Sequence, residues 1–223
     1  MRNPLIVALD VPSVEEAVAV AKKVGDAAGA FKVGLELFSA AGPDAVRSID
    51  GPVFLDLKLH DIPTTVARAI ASLAPLRPAM LNVHALGGRA MLEAAAGATP
   101  EGTALLAVTI LTSLHDGALA EMHLPPSYEA VPILAELAAE CGCDGVVCAP
   151  ADLEAVRAAV PEGFLLVTPG IRPAGASIDD HERGRTPKEA MAAGATHLVV
   201  GRPITGASDP RAAAASVLAE IMP

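Results

Sequence analysis

The run Val53-Phe54-Leu55-Asp56-Leu57-Lys58-Leu59 is apolar except for a carboxylate and an ammonium two positions apart. In an extended strand the side-chain period of two puts Leu55, Leu57 and Leu59 on one face and Phe54, Asp56 and Lys58 on the other. The leucines belong against a hydrophobic layer. Asp56 and Lys58 therefore point the opposite way, with Asp61 just beyond the run. Lys32 in Phe31-Lys32-Val33 and Asp10 after Ile6-Val7-Ala8-Leu9 stand at equivalent places in two other strand-like runs. Four charges thus converge before Asp61 is counted. Such a cluster could be structural, because buried charges must pair to stay ionised, but apolar replacement of buried ion pairs often stabilises a protein. Function explains the cluster better. The residue types alone allow Schiff-base chemistry, proton transfer or a metal site.

A second constellation suits phosphate. Thr168-Pro169-Gly170-Ile171-Arg172 and Leu198-Val199-Val200-Gly201-Arg202-Pro203-Ile204 each carry a glycine and an arginine just after a strand-like run. Glycine lets backbone N–H groups approach an anion, and arginine adds charge-assisted, bidentate hydrogen bonds. The histidines are less specific: His84 ends a strand-like run, His60 sits between Lys58 and Asp61, and His115, His123 and His197 read as structural or solvated.

The elements that must position these groups are short β-branched or leucine-rich runs alternating with alanine-rich helical stretches, the pattern of a parallel sheet with crossover helices. Strands are expected near Leu5 to Leu9, Ala30 to Gly34, Val53 to Lys58, Ala79 to His84, Ala104 to Leu111, Gly145 to Ala149, Phe164 to Thr168 and His197 to Gly201. Eight strand–helix units in 223 residues predict a single-domain α/β protein, a (β/α)8 TIM barrel spanning residues 1–223. No Gly-x-Gly-x-x-Gly turn follows the first strand, which disfavours a doubly wound dinucleotide fold. In a barrel the loops after the strands form the active face, and those after strands seven and eight commonly hold phosphate. The segment from Arg172 to Thr186, rich in Pro, Gly and charge, is a lid candidate by position and composition.

Composition narrows the function classes. Hydrophobic residues make up 52% of the chain, yet their runs fall far short of the roughly 20 residues of a membrane span. No membrane partner is expected. The N-terminal residues lack signal-peptide character, so a cytoplasmic location is expected. A formal charge of -10 and the near absence of aromatic residues, one Tyr and no Trp, argue against nucleic acid as a partner. Cys141, Cys143 and Cys148 have neither disulfide-framework nor zinc-ribbon spacing and read as reduced core residues.

The segment Asp56-Leu57-Lys58-Leu59-His60-Asp61-Ile62-Pro63-Thr64-Thr65-Val66 closely resembles the Asp-x-Lys-x-x-Asp-Ile-Pro signature of the orotidine 5'-monophosphate decarboxylase family. Leu9-Asp10, Phe31-Lys32-Val33-Gly34, Val83-His84-Ala85, Leu111-Thr112-Ser113, Pro169-Gly170-Ile171-Arg172 and Val200-Gly201-Arg202-Pro203-Ile204 follow in the family's order. The resemblance implies a cofactor-free, metal-free decarboxylase that converts orotidine 5'-monophosphate to uridine 5'-monophosphate. It also implies a homodimer in which Lys32, Asp56 and Lys58 of one subunit are completed by Asp61, Ile62 and Thr65 of the other. Asp10 and Lys32 would bind the ribose hydroxyls, Thr112 the pyrimidine, and Arg172, Gly201 and Arg202 the phosphate, while Lys58 would protonate C6. Two departures stand out: Thr64 replaces the usual Asn, and His181 replaces the lid's usual Gln, which could change how the lid grips the substrate. The rival readings are a magnesium-dependent sugar-phosphate lyase of the same superfamily, of hexulose-phosphate synthase or keto-gulonate-phosphate decarboxylase type, and a non-catalytic phosphate-binding barrel.

Overall fold

In the computed structural model, which describes residues 3–172 and 185–221, the strands close into a parallel barrel in sequence order. They are β1 (Leu5–Ala8), β2 (Ala30–Val33), β3 (Val53–Leu59), β4 (Met80–His84), β5 (Ala104–Val108), β6 (Gly145–Val147), β7 (Leu165–Thr168) and β8 (His197–Val200). Helices α1 (Val14–Val24), α2 (Leu35–Ala41), α3 (Asp44–Arg47), α4 (Pro63–Leu73), α5 (Arg89–Ala98) and α6 (Asp116–Glu121) connect the first strands. Helices α7 (Ser127–Glu140), α8 (Leu153–Ala159), α9 (Pro187–Ala192), α10 (Arg202–Thr205) and α11 (Pro210–Ile221) complete the ring. The expected (β/α)8 barrel is therefore present. The fifth strand stops at Val108 rather than Leu111, so Thr112 lies on the loop beyond it. No helix among the described residues is long and apolar enough to cross a membrane.

Two apolar layers follow from the alternation. The outward set, including Leu55, Leu81, Val83 and Leu198, packs in the larger core between strands and helices, with Leu57 and Leu59 partly buried against it. The inward set fills the barrel, where Phe54 shares a cluster with the small Ala8 and Ala30. Phe54 is 1% exposed, and burying a side chain of that size contributes about 2 to 3 kcal/mol. All three cysteines are free and buried, as expected of small core residues.

Capping fixes the helix starts. Ser13 accepts a hydrogen bond from Glu16 N at the head of α1. Thr186 and Glu189 form a reciprocal capping box at α9, which satisfies two otherwise orphaned backbone donors. That box lies next to the bridge between Ile171 and Arg185, where Arg172 N donates to Arg185 O at 3.0 Å. Both stems of the lid candidate are thus tied to the barrel. The lid candidate's remaining residues, His181 included, lie outside the described residues.

At the other end of the barrel, His197 shares the inward parity of Val199 and is 5% exposed. Its Nδ1 stands 3.0 Å from Thr196 Oγ1, and burial pushes its pKa down from 6.5 to about 4. The folded state therefore resists taking up a proton that the unfolded chain accepts. Stability is full above pH 6.5 and falls as pH drops from there toward 4, by up to about 3 kcal/mol. His197→Asn should remove this component. Urea titrations of both proteins between pH 7 and pH 5 check it, and equal losses of stability on acidification would reject the assignment.

Candidate active site

Charge alternates along a chain of contacts across the C-terminal mouth of β1, β2 and β3. Lys32 Nζ donates to Asp10 Oδ1 at 2.8 Å and lies 3.4 Å from Asp56 Oδ2. Lys58 Nζ donates to Asp56 Oδ1 at 2.7 Å. Lys32 and Asp56 are each only 8% exposed, so a carboxylate and an ammonium neutralise one another where water is scarce. Burial pushes the Asp56 carboxyl upward, but the adjacent Lys32 and Lys58 charges, with hydrogen bonds from Lys58 and Asn82, outweigh it and hold it below the usual carboxylate range. Asp56 is therefore ionised at neutral pH.

The strand carrying this pair is not regular. Leu55 pairs with Leu81 and Leu59 with Val83, so β3 advances by four residues where β4 advances by two. The extra residues form a bulge, and Lys58 takes a left-handed φ of 50°. Such a conformation costs a non-glycine residue roughly 1 to 3 kcal/mol and persists only where its surroundings impose it. The alternation that places Asp56 and Lys58 together is legible in the sequence. The bulge that raises Lys58 toward the mouth is not.

Asn82, missed by the sequence reading as a site residue, holds this geometry. It is 1% exposed and shares the inward parity of Met80 on β4. Its Oδ1 accepts from Lys58 N at 2.8 Å, and its Nδ2 donates to Asp56 Oδ1 at 2.7 Å. A lone amide in the apolar run Met80-Leu81-Asn82-Val83 was the available signal, because a buried polar side chain must find partners. Next along β4, the His84 ring lies 5.4 Å from that of His60. Burial first, then the neighbouring His60 and Lys58, lower the pKa of His84, so its ring is neutral at pH 7.

The remaining expected residues line the same rim. Gly201 is the N-cap of α10, and a Cβ built on it would stand 4.0 Å from Asp10 Oδ2, which places the end of β8 beside the charge chain. Arg172 follows the adjacent strand β7 and donates from Nη1 to Ile171 O at 3.1 Å, while Arg202 is exposed. Thr112 is exposed on the loop after β5, and Asp61, Ile62 and Thr65 are exposed at the start of α4. Asp61 does not join the charge chain within this subunit; its Oδ1 accepts from Ile62 N at 2.6 Å. Among the described residues no three His, Cys, Asp or Glu side chains group as a metal site.

A closed parallel barrel with an Asp-Lys-Asp-Lys array at its C-terminal mouth has the form of a (β/α)8 enzyme. The chain belongs to the orotidine 5'-phosphate decarboxylase / HUMPS family, whose profile matches residues 3–217. It is 50% identical to an orotidine 5'-phosphate decarboxylase of Thermobifida fusca, covering 99% of this chain and 97% of that one. Identity to the one from Halorhodospira halophila is 53%, over 97% and 95% of the two chains. Among solved structures, the orotidine 5'-phosphate decarboxylase of Lactobacillus acidophilus superposes with a TM-score of 0.87 at 40% identity, covering 99% of this chain and all of the other.

Proposed function

We propose that this protein decarboxylates orotidine 5'-monophosphate to uridine 5'-monophosphate in de novo pyrimidine biosynthesis, in the cytoplasm and without a cofactor, with Lys58 as the proton donor. The observation that carries the reading is the contact chain Asp10–Lys32–Asp56–Lys58 at the barrel mouth. In the reaction the bond between C6 and the carboxylate breaks, carbon dioxide leaves, and the electron pair stays on C6. The Lys58 ammonium offsets that developing charge and then delivers its proton to C6, after which the amine recovers a proton from water. A fixed array of charges needs no reorganisation as the charge develops, which is the larger part of its advantage over water. Both oxygens of Asp56 already face ammonium groups, a use of the carboxylate that favours charge stabilisation over metal ligation. Loss of substrate absorbance with purified, chelator-treated protein tests the reading; no turnover, or turnover that needs added magnesium, would overturn it.

Asp10 and Lys32 would hold the ribose hydroxyls, Thr112 the pyrimidine, and Arg172, Gly201 and Arg202 the phosphate, with His181 contributing from the lid. Asp61, Ile62 and Thr65 would come from a second copy of the chain. Support for a dimer comes from four large apolar residues on connections after consecutive strands: Leu35 is 53% exposed, Ile62 64%, Leu86 41% and Leu111 37%. An exposed apolar rim of this kind is typical of an interface.

Gly34 tests the placement of the ribose-binding pair. A Cβ there would stand 2.9 Å from Lys32 Nζ and 3.1 Å from Asp10 Oδ1, while its φ of -96° suits any residue. Gly34→Ala should therefore lower kcat/KM by about tenfold, equivalent to ~1.4 kcal/mol, with little change in Tm. Steady-state kinetics check this, and an unchanged kcat/KM would show that the pair need not occupy its observed position.

A further inference from the structure

We propose that Asn82 is a positioning residue for the reaction: its amide ties the bulge of β3 to the Asp56 carboxylate and thereby sets where the Lys58 ammonium stands. This rests on the decarboxylase reading above. Where β3 advances four residues against two of β4, the bulge takes the Lys58 N–H out of the regular ladder, and an unpaired buried donor is costly. Asn82 Oδ1 accepts that N–H at 2.8 Å. The orientation of the amide follows, since a backbone N–H can only donate and must face the oxygen. Nδ2 is then left to donate to Asp56 Oδ1 at 2.7 Å, the same oxygen that accepts from Lys58 Nζ at 2.7 Å. One side chain thus sets the backbone that launches Lys58 and the carboxylate that receives its far end. Packing alone does not ask for an amide here: the preceding inward residue of β4 is Met80, which packs in an apolar cluster with Phe54 and Leu106.

The test compares Asn82→Ala and Asn82→Asp with the wild-type protein in kcat, KM, stoichiometry of uridine 5'-monophosphate binding by calorimetry, and the pH profile of kcat. For Asn82→Ala the expected result is full stoichiometry, KM within about threefold, and kcat reduced about 100-fold, the scale of a misplacement near 1 Å. The acid limb of the profile should also move to higher pH, because Asp56 loses a donor that favours its ionised form. The other groups facing or flanking that carboxylate are unchanged: Lys32 from β2 with Asp10 behind it, Lys58 from β3, His60 just past the end of β3, and His84 from β4. Asn82→Asp is nearly isosteric. Its carboxylic acid can replace the amide donor only while protonated, so its kcat relative to wild type should recover as pH falls. Wild-type kcat and profile in a stoichiometric Asn82→Ala protein would overturn the proposal. So would a fall in kcat that merely tracks lost binding sites in both variants, which would mark Asn82 as a residue that holds only the barrel. An inactive wild-type protein would instead count against the decarboxylase reading itself.

Discussion

Lys58→Ala is expected to abolish decarboxylation while leaving the binding of uridine 5'-monophosphate in place. Lys58 is the more open of the Asp56–Lys58 pair, its side chain 29% exposed against 11% for Asp56, so it reaches the space where a substrate must sit. Asp56 keeps Lys32 and Asn82 as partners when Lys58 is removed, and the barrel should fold. Loss of the donor should cost at least about 100-fold in turnover, the lower scale of general-acid catalysis. Lys58→Arg separates charge from proton donation, since guanidinium stays ionised at any working pH and gives up no proton. It should be nearly as inactive as the alanine variant. Product binding measured by calorimetry beside single-turnover assays decides the matter, and near-wild-type turnover in either variant would reject Lys58 as the donor.

The second large effect concerns sharing of the site between subunits. Asp61 is exposed and, among the described residues of its own subunit, is bonded only locally, although it lies three residues from Lys58. If it serves the site of a second copy, Asp61→Ala and Lys58→Ala homodimers should each be nearly inactive, and mixing them should restore activity. A hybrid dimer gathers both lesions into one site and leaves the other intact. Random exchange of equal amounts makes half the dimers hybrid, each with one good site of two, so about a quarter of wild-type activity should return. Exchange is verified by mass-tagging one variant. Demonstrated exchange with no gain in activity would show that each subunit builds its site alone.

Much of this protein was legible in its sequence. Seven of the eight strands lie where β-branched and leucine-rich runs placed them to within one or two residues at either end, and the fifth ends three residues early. Alternation also identified Asp10, Lys32, Asp56 and Lys58 as convergent residues. These inferences succeed because inward and outward facing is set locally by the pleat of each strand, and because parallel strands put all their C-terminal ends at one mouth. The dimer came only from resemblance, since no local pattern specifies a surface that meets another chain. What tertiary structure alone decided is the geometry inside the charge cluster. The bulge at Lys58 depends on an acceptor 24 residues away on β4, and the orientation of Asp56 depends on the same amide. Register between strands is a non-local property, invisible to a period counted along one of them. The sequence by itself therefore determined which residues face the mouth, while the pairing of β3 with β4 decided how they meet, because only that pairing leaves the Lys58 N–H to be taken by Asn82.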